Sequence, residues 1–348
     1  MNKCKHFENE IKMSARMSKG RAAPPEPCVE LSTTSPVTSL AFSTSETPED
    51  KGQLFSGHQD GKVIYWNLVT QRPTSSNIAH SDSVIWLSWV SNKLISQGRD
   101  GFIRFWIRSD SEWTRIGEVT CAALTFCNMS MCLYNNQHIL TAPGNPTAQL
   151  IVYHLPNLSS VTEITSQSSP HKIQPSQAKV FGMCMRTRSA VQTAQLPSLL
   201  VAYESGTLAL WNLVTDELLS KVAAHSESIM CMDCWVSQET GLFRCITGSV
   251  DNQLRSWQVK DYQLVQENTV FISNPGLCDI AVREDGRIAA TGGWDHFARV
   301  FTVKKLRALA VLGYHHESVQ CVMFAPDKTL ATGSKDGHIA LWDIYKDK

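Results

Sequence analysis

The chain has 348 residues and equal numbers of acidic and basic side chains, 32 of each, so its formal net charge is zero. This balance argues against an electrostatic grip on nucleic acid as the main activity, because such binding needs an excess of lysine and arginine. The eleven cysteines lack the spacing of a disulfide framework, which is typical of reduced thiols in the cytosol or nucleus. No apolar run approaches the roughly 20 residues of a membrane-spanning helix, so we expect no membrane association.

Residues 1–26 are rich in lysine and arginine and end in the proline-rich stretch AAPPEP. They have no apolar stretch of a secretory signal and no sustained heptads, so we expect a disordered, basic amino-terminal tail. A mitochondrial transit peptide is the alternative. Glu8 and Glu10 count against it, because such peptides are poor in acidic residues.

A repeated pattern follows the tail, in which a turn residue stands six positions before an aromatic residue. Two of the six copies are FSGHQDGKVIYWNL at 55–68 and ATGSKDGHIALW at 331–342. The pairs of turn residue and aromatic are Asp60 with Trp66, Asp100 with Trp106, Ser205 with Trp211, Asp251 with Trp257, Asp295 with Phe301, and Asp336 with Trp342. Four positions before the turn residue stand Ser56, Ser96, Val201, Thr247, Thr291 and Thr332, respectively.

A degenerate seventh copy at 139–155 places Tyr153 in the aromatic position, so the aromatics recur every 40 to 58 residues. This is the period of a four-stranded propeller blade with loops of variable length. Predicted first strands precede the copies, at 36–42, 83–89, 122–127, 179–185, 228–235, 277–282 and 318–327. The signature resembles the WD repeat, and it predicts an all-β fold, a seven-bladed WD-repeat β-propeller over residues 27–348.

The last copy supplies only three strands, whereas the stretch CVELSTT at 28–34 is a strand without a blade. An open ring would leave strand edges unpaired, and such edges are templates for aggregation. We therefore predict that Cys28–Thr33 forms the outer strand of the seventh blade, so that the two ends of the chain close the ring in one sheet.

Three copies combine histidine, a hydroxyl, aspartate and tryptophan, a set that invites comparison with a hydrolase triad. A structural interpretation is stronger, because the indole, hydroxyl, imidazole and carboxylate can satisfy one another in a buried chain. Three copies in fixed phase also fit a repeat better than one catalytic pocket, so we expect no enzymatic activity. The sets are His80, Ser96, Asp100 and Trp106; His225, Thr247, Asp251 and Trp257; and His315, Thr332, Asp336 and Trp342.

Cys231 and Cys234 have the spacing of half a zinc site. They fall on a predicted strand, where residues three apart point to opposite faces, and no second pair of this spacing is present. We therefore expect neither a metal nor a cofactor.

The loops leading into each blade and the aspartate turns lie on one rim of a propeller, here called the top. This topology assigns each of three polar insertions to the top or the bottom rim. Those at 43–53 and 187–198 join first and second strands and are expected at the bottom, whereas 166–178 precedes a first strand and is expected at the top.

The residue just before each turn residue is expected to point up from the top rim and to form a candidate protein-binding rim. Trp294 stands out among these residues, because exposed tryptophan is a favoured interface anchor. The alternative is that its ring lies flat on its own rim. In chain order, the rim residues are Gln59, Arg99, Glu204, Val250, Trp294 and Lys335. Trp113, in the polar stretch SDSEWTRIG, is expected to be exposed.

Four stretches resemble a single WD-repeat family, that of guanine nucleotide-binding protein subunit beta-like protein 1 and the fungal ASTRA-associated protein 1. They are LISQGRDGFIRFW at 94–106, the segment 274–301 with GWDHFARVF, LAVLGYHHESVQCVMF at 309–324, and GSKDGHIALW at 333–342.

The resemblance implies a scaffold that works with the TTT co-chaperone in the maturation of phosphatidylinositol 3-kinase-related kinases, in the nucleus and cytoplasm. It implies protein partners. We expect no direct contact with nucleic acid, given the balanced charge, and a chain that is monomeric by itself. No G-protein gamma subunit is expected, because residues 1–26 lack the helix that would pair with one. A substrate-recognition subunit of a ubiquitin ligase and a chromatin or histone reader are the alternatives.

Overall fold

The computed structural model describes residues 25–44, 53–109, 112–145, 148–155, 171–173, 183–190 and 197–346. Every regular element in these residues is a β-strand, and none is a helix that could cross a membrane. The 28 strands form seven sheets of four strands, and all pairings within the sheets are antiparallel. The sheets are the seven blades predicted from the repeat.

The strands of the first four blades follow in chain order. Blade 1 contains β2 (Val37–Phe42), β3 (Gln53–His58), β4 (Lys62–Asn67) and β5 (Arg72–Ile78); blade 2 contains β6 (Val84–Val90), β7 (Lys93–Gly98), β8 (Phe102–Ser109) and β9 (Glu112–Thr120). Blade 3 contains β10 (Ser130–Tyr134), β11 (Gln137–Pro143), β12 (Leu150–Leu155) and β13 (His171–Ile173); blade 4 contains β14 (Cys184–Ala190), β15 (Ser198–Tyr203), β16 (Thr207–Asn212) and β17 (Leu218–Ala223).

The last three blades complete the ring. Blade 5 contains β18 (Ile229–Val236), β19 (Phe243–Ser249), β20 (Gln253–Lys260) and β21 (Gln263–Phe271); blade 6 contains β22 (Leu277–Val282), β23 (Ile288–Gly293), β24 (Ala298–Thr302) and β25 (Ala308–Leu312). Blade 7 contains β26 (Val319–Phe324), β27 (Leu330–Ser334), β28 (His338–Trp342) and, from the other end of the chain, β1 (Val29–Ser32).

The aspartate turn of blade 1 depends on a conformation that glycine adopts easily. Gly61 has a φ of 82°, and a Cβ atom there would lie 2.1 Å from the carbonyl oxygen of His80. The amides of Ala79 and His80 both donate to the carbonyl oxygen of Gly61. This turn therefore ties blade 1 to the loop that leads into blade 2, and a side chain at position 61 would break the contact.

The core consists of seven apolar clusters, and each cluster lies between two neighbouring blades. The repeated aromatic lies in these clusters in every blade, opposite a buried residue of the preceding strand. Trp66 pairs with Leu54, and Tyr153 pairs with Leu140 in the same register. The assignment of Tyr153 to the seventh copy is therefore confirmed, although the surrounding sequence is degenerate.

The amino-terminal strand closes the ring as predicted. Val29 lies opposite Leu341 and Ser32 lies opposite His338 in the antiparallel pair of β1 and β28. Leu31 is buried among residues of blades 7 and 1. The closing strand therefore contributes to the core as well as to the backbone ladder.

One predicted first strand is wrong in position, because the strand expected at 122–127 begins at Ser130. The strand expected at 179–185 lies mostly outside the described residues, and its described part overlaps β14, which begins at Cys184. In residues 122–127, Ala122, Thr125 and Cys127 are buried, and the segment crosses the top of the ring as a loop. A short run of apolar residues satisfies a strand pattern whether or not a neighbouring strand pairs with it.

One insertion and one tryptophan also differ from expectation. The segment 166–178 contains β13, the outer strand of blade 3. The segment 187–198 begins within β14 and leads to β15, the first and second strands of blade 4, and most of the remainder lies outside the described residues. Most of 43–53 and residues 1–24 also lie outside them. Trp113 is half-buried, because its ring stacks on Tyr65 with centroids 4.5 Å apart. The polar sequence around Trp113 gives no sign of this contact, because Tyr65 belongs to the neighbouring blade.

Candidate protein-interaction surface

The three histidine sets form hydrogen-bonded chains within their blades. Trp106 Nε1 donates to Ser96 Oγ at 2.9 Å, Ser96 Oγ lies 2.8 Å from His80 Nε2, and His80 Nδ1 lies 2.9 Å from Asp100. The other two sets have the same bonds at 2.8 to 3.3 Å; they are Trp257, Thr247, His225 and Asp251, and Trp342, Thr332, His315 and Asp336.

Burial decides what these chains can do. The side chains of Ser96, Thr247 and Thr332 are completely buried, so their hydroxyls cannot meet a substrate. Burial also lowers the pKa of His80, His225 and His315 below the ordinary value of 6.5. A neutral imidazole accepts from the hydroxyl and donates to the carboxylate, which joins each aspartate turn to the loop leading into its own blade.

Blade 1 has a variant of the same chain. Trp66 Nε1 donates to Ser56 Oγ at 2.8 Å, and the hydroxyl lies 2.8 Å from His58 Nε2. The other ring nitrogen of His58 faces the carbonyl oxygen of Ser35 at 3.2 Å. The histidine therefore comes from strand β3 instead of the preceding loop, and the sequence contains its signal in the Ser-Gly-His run at 56–58.

Blade 6 does not form this hydrogen-bonded chain among its described residues. Phe301 replaces the tryptophan, and the buried hydroxyl of Thr291 has no hydrogen-bond partner among the described residues. Asp295 instead accepts from Arg299 Nη1 at 3.0 Å, which holds the pKa of this carboxyl below its usual value although burial alone would raise it.

The six rim residues occupy equivalent positions. Each backbone amide donates to a carbonyl oxygen at the start of its own blade: Gln59 to Pro36, Arg99 to Ser83, Glu204 to Met183, Val250 to Ser228, Trp294 to Gly276 and Lys335 to Ser318. The bonds measure 2.9 to 3.1 Å. They hold the rim residues on one face with the aspartate turns, while Gln59, Glu204, Trp294 and Lys335 remain exposed and Arg99 and Val250 are half-buried.

Trp294 combines exposure with a fixed position. Its side chain is 46% exposed, and a Cβ atom at Gly276 would lie 2.2 Å from its ring. The indole therefore packs against bare backbone and presents its remaining surface to solvent. Ser318 Oγ donates to the carbonyl oxygen of Trp294 at 3.2 Å and fixes the rim further. An aromatic side chain held in this way loses little conformational entropy when a partner binds.

Charged residues from the innermost strands line the central channel. Arg188 Nε lies 3.2 Å from Asp233 Oδ1 of the next blade. Asp233 and Asp279 each accept a backbone amide from the following blade, that of Val282 at 2.7 Å and that of Val322 at 3.0 Å. Burial raises the pKa of Asp279 to about 6. These carboxylates join inner strands to each other, and sequence reasoning did not identify them because their partners lie in other blades.

Two exposed apolar residues on the top face were also missed. Leu124 and Phe126 are 67% and 50% exposed, and they lie in the segment that was expected to be a strand. The amide of Leu124 donates to the carbonyl oxygen of Arg99 at 2.9 Å, so the segment is attached to a rim residue. Leu124 and Phe126 alternate with the buried Thr125 and Cys127, which is the pattern of a strand. The sequence therefore gives no signal that separates these two exposed residues from core residues.

No grouping of histidine, cysteine, aspartate and glutamate in the described part of the chain could hold a metal ion. Cys231 is buried and Cys234 is half-buried, both as free thiols. Burial raises the pKa of both thiols well above the usual value. The rim side chains described above are therefore the candidate functional groups of the described surface.

The blades and the rim define a WD-repeat β-propeller, and comparison with known proteins agrees. The WD domain, G-beta repeat family matches residues 307–343. The chain is 32% identical to the mouse guanine nucleotide-binding protein subunit beta-like protein 1 over 92% of its own length and 97% of the mouse protein. It is 27% identical to ASTRA-associated protein 1 of Schizosaccharomyces japonicus over 89% and 96% of the two chains, and 26% identical to that of Schizosaccharomyces pombe over the same shares.

The chain therefore belongs to the family of guanine nucleotide-binding protein subunit beta-like protein 1. The expectation that it does not pair with a G-protein gamma subunit rested on residues 1–26, and most of these lie outside the described residues.

Proposed function

We propose that this protein is a non-enzymatic adaptor that binds partner proteins on its top rim. In this proposal it works with the TTT co-chaperone in the maturation of phosphatidylinositol 3-kinase-related kinases, as a monomer in the nucleus and cytoplasm. The name ASTRA-associated protein 1 of the fungal relatives supports a role in a multiprotein assembly. The observation that carries the proposal is Trp294, a half-exposed indole fixed on a rigid rim.

Rigidity is the physical basis of the proposed function. The amides of the rim residues are bonded within their own blades, and the polar chains attach the aspartate turns to the same loops. A partner that binds this rim does not have to order it, so less of the interaction free energy is lost to conformational entropy. The fully buried hydroxyls of the three histidine sets support a binding role over a catalytic one.

Affinity purification from cells, followed by identification of the co-purifying proteins, tests the proposal. We expect the full chain to recover TTT subunits and kinases of the named class, and Trp294→Ala to recover much less of them. Tyr262→Ala is the matched control, because Tyr262 is a 39% exposed aromatic at the opposite rim, in the turn between β20 and β21.

The same purification separates the alternatives. Recovery of a cullin adaptor would favour a substrate-recognition subunit of a ubiquitin ligase, and recovery of histones would favour a chromatin reader. Equal recovery of every partner by Trp294→Ala and the parent would remove Trp294 from the binding surface.

A further inference from the structure

The loop that leads into blade 3 presents apolar side chains to solvent at a conformational cost. Leu124 has a φ of 56°, a region that a bulky residue rarely adopts, and its side chain is 67% exposed. Neither the backbone conformation nor the exposure favours leucine at this position. Strain of this kind persists where surrounding structure enforces it, and it is commonest at sites of function.

Phe126 lies on the same loop as Leu124, and two arginines contact it, one at its ring and one at its backbone carbonyl. The guanidinium of Arg99 lies 4.7 Å from the centre of its ring. Arg186 Nη1 donates to the carbonyl oxygen of Phe126 at 2.6 Å, and Arg186 Nη2 donates to that of Cys278 at 3.3 Å. Because Arg186 belongs to β14 and Cys278 to β22, these bonds place Phe126 at the mouth of the central channel.

The two guanidinium groups are incompletely paired. Neither Arg99 nor Arg186 lies within ion-pair distance of a carboxylate of the described residues, although Arg186 acts electrostatically on the buried Asp279. The Nε atom of each arginine is buried and has no hydrogen-bond partner among these residues. Asp279 accepts the amide of Val322 within the channel, and its charge is shared between Arg186 and Arg188. The mouth next to Phe126 therefore offers two apolar side chains flanked by cationic groups.

We propose that Leu124, Phe126, Arg99 and Arg186 form a docking site for an acidic segment of a partner protein that carries apolar residues between its carboxylates. Carboxylates of the segment pair with the guanidinium groups, and its apolar residues cover Leu124 and Phe126. Planar guanidinium groups suit carboxylates, and aromatic residues flanked by arginine are typical interface anchors. This inference rests on the proposed adaptor function and names the chemistry of one partner segment.

The test uses the full chain and a fluorescent peptide in which a Leu-Phe pair is flanked by runs of glutamate. Binding is measured by anisotropy, with a lysine-flanked peptide and a glutamate peptide without the Leu-Phe pair as comparisons. We expect the acidic apolar peptide to bind most tightly and its affinity to fall as salt is raised. We expect Phe126→Ala, Leu124→Gly and Arg99→Gln each to weaken it by about tenfold or more.

The Leu124→Gly variant distinguishes a loss of binding from a loss of folding. Glycine adopts a positive φ without strain, so the melting temperature of this variant should equal or exceed that of the parent. Leu133→Gly is the matched control, because Leu133 is 56% exposed on β10, towards the opposite rim, and this variant should bind the peptide like the parent.

Several results would overturn the inference. They are no binding of the acidic apolar peptide, equal binding of the lysine-flanked peptide, unchanged affinity of Leu124→Gly and Phe126→Ala, or tighter binding of single-stranded RNA at the same site. If Leu124→Gly recovers every cellular partner of the parent, the docking site is wrong while the adaptor function stands. If the parent itself recovers no partner, the adaptor function fails.

Discussion

The amide of Cys28 donates a hydrogen bond of 2.8 Å to the carbonyl oxygen of Leu341, although the two residues are 313 positions apart in the chain. The amide of Thr33 donates to the carbonyl oxygen of Gly337 at the other end of the same strand pair. Strand β1, at the start of the described chain, therefore completes the sheet of blade 7, which contains the last strand, β28. Contacts of this sequence separation are costly in loop-closure entropy, so the fold depends on burial at the junction to hold them.

The first prediction concerns this closure. Leu31→Ala should lower the free energy of unfolding by about 2–4 kcal/mol, because Leu31 is buried between blades 7 and 1 and its loss leaves a cavity. Denaturant unfolding measures the change. Ser32→Ala is the control, since Ser32 is exposed on the same strand and should change stability little. Deletion of 27–34 should cost more than either, and a truncated chain as stable as the parent would contradict the closure.

The second prediction compares the same substitution in two blades. Thr247→Val should cost about 2–3 kcal/mol, because it leaves the indole of Trp257 and the ring of His225 without their shared partner. Thr291→Val should be neutral or stabilising, since the Thr291 hydroxyl is buried without a partner among the described residues. Thermal and denaturant unfolding of both variants checks the contrast, and equal effects would show that the hydrogen-bonded chains do not stabilise their blades.

The third prediction concerns the channel. Burial raises the pKa of Asp279 to about 6 from the ordinary 3.8, so the folded state binds a proton more readily than the unfolded state. The ionised carboxylate therefore costs stability above pH 6, and that cost disappears as the pH falls towards 3.8. Asp279→Asn should stabilise the protein by up to about 2 kcal/mol at pH 7, with the gain shrinking as the pH falls through this window. A gain independent of pH would contradict the assignment.

The fourth prediction is acid lability from the histidine chains. The pKa values of His80, His225 and His315 are lowered by burial, so the unfolded chain takes up protons first as the pH falls below 6.5. Stability should therefore be fully retained above pH 6.5 and should fall below it. The measurement is the free energy of unfolding between pH 5 and 8 in the Asp279→Asn background, which removes the opposite contribution. A flat profile there would contradict the prediction.

Much of this architecture could be predicted from the sequence, because the repeat has a fixed phase. The spacing of Asp100 to Trp106 and its counterparts determined the turn, the strand and the buried aromatic, and it identified Tyr153 in a copy with little else to mark it. The count of strands then predicted the pairing of Cys28–Thr33 with the last blade. These features depend on a local period of two residues along a strand and on the need to pair every strand edge.

Other features were decided only by the tertiary structure. Leu124 and Phe126 have the residue types of a strand core, yet they face solvent because no strand pairs with their loop. Trp113 lies in a polar stretch, yet it is half-buried because its ring stacks on that of Tyr65 in the adjacent blade. Arg186, Asp233 and Asp279 contact partners from other blades around the channel. A local pattern records the side of a strand on which a residue lies, but not what covers that side, because the covering residues come from chain segments dozens of positions away.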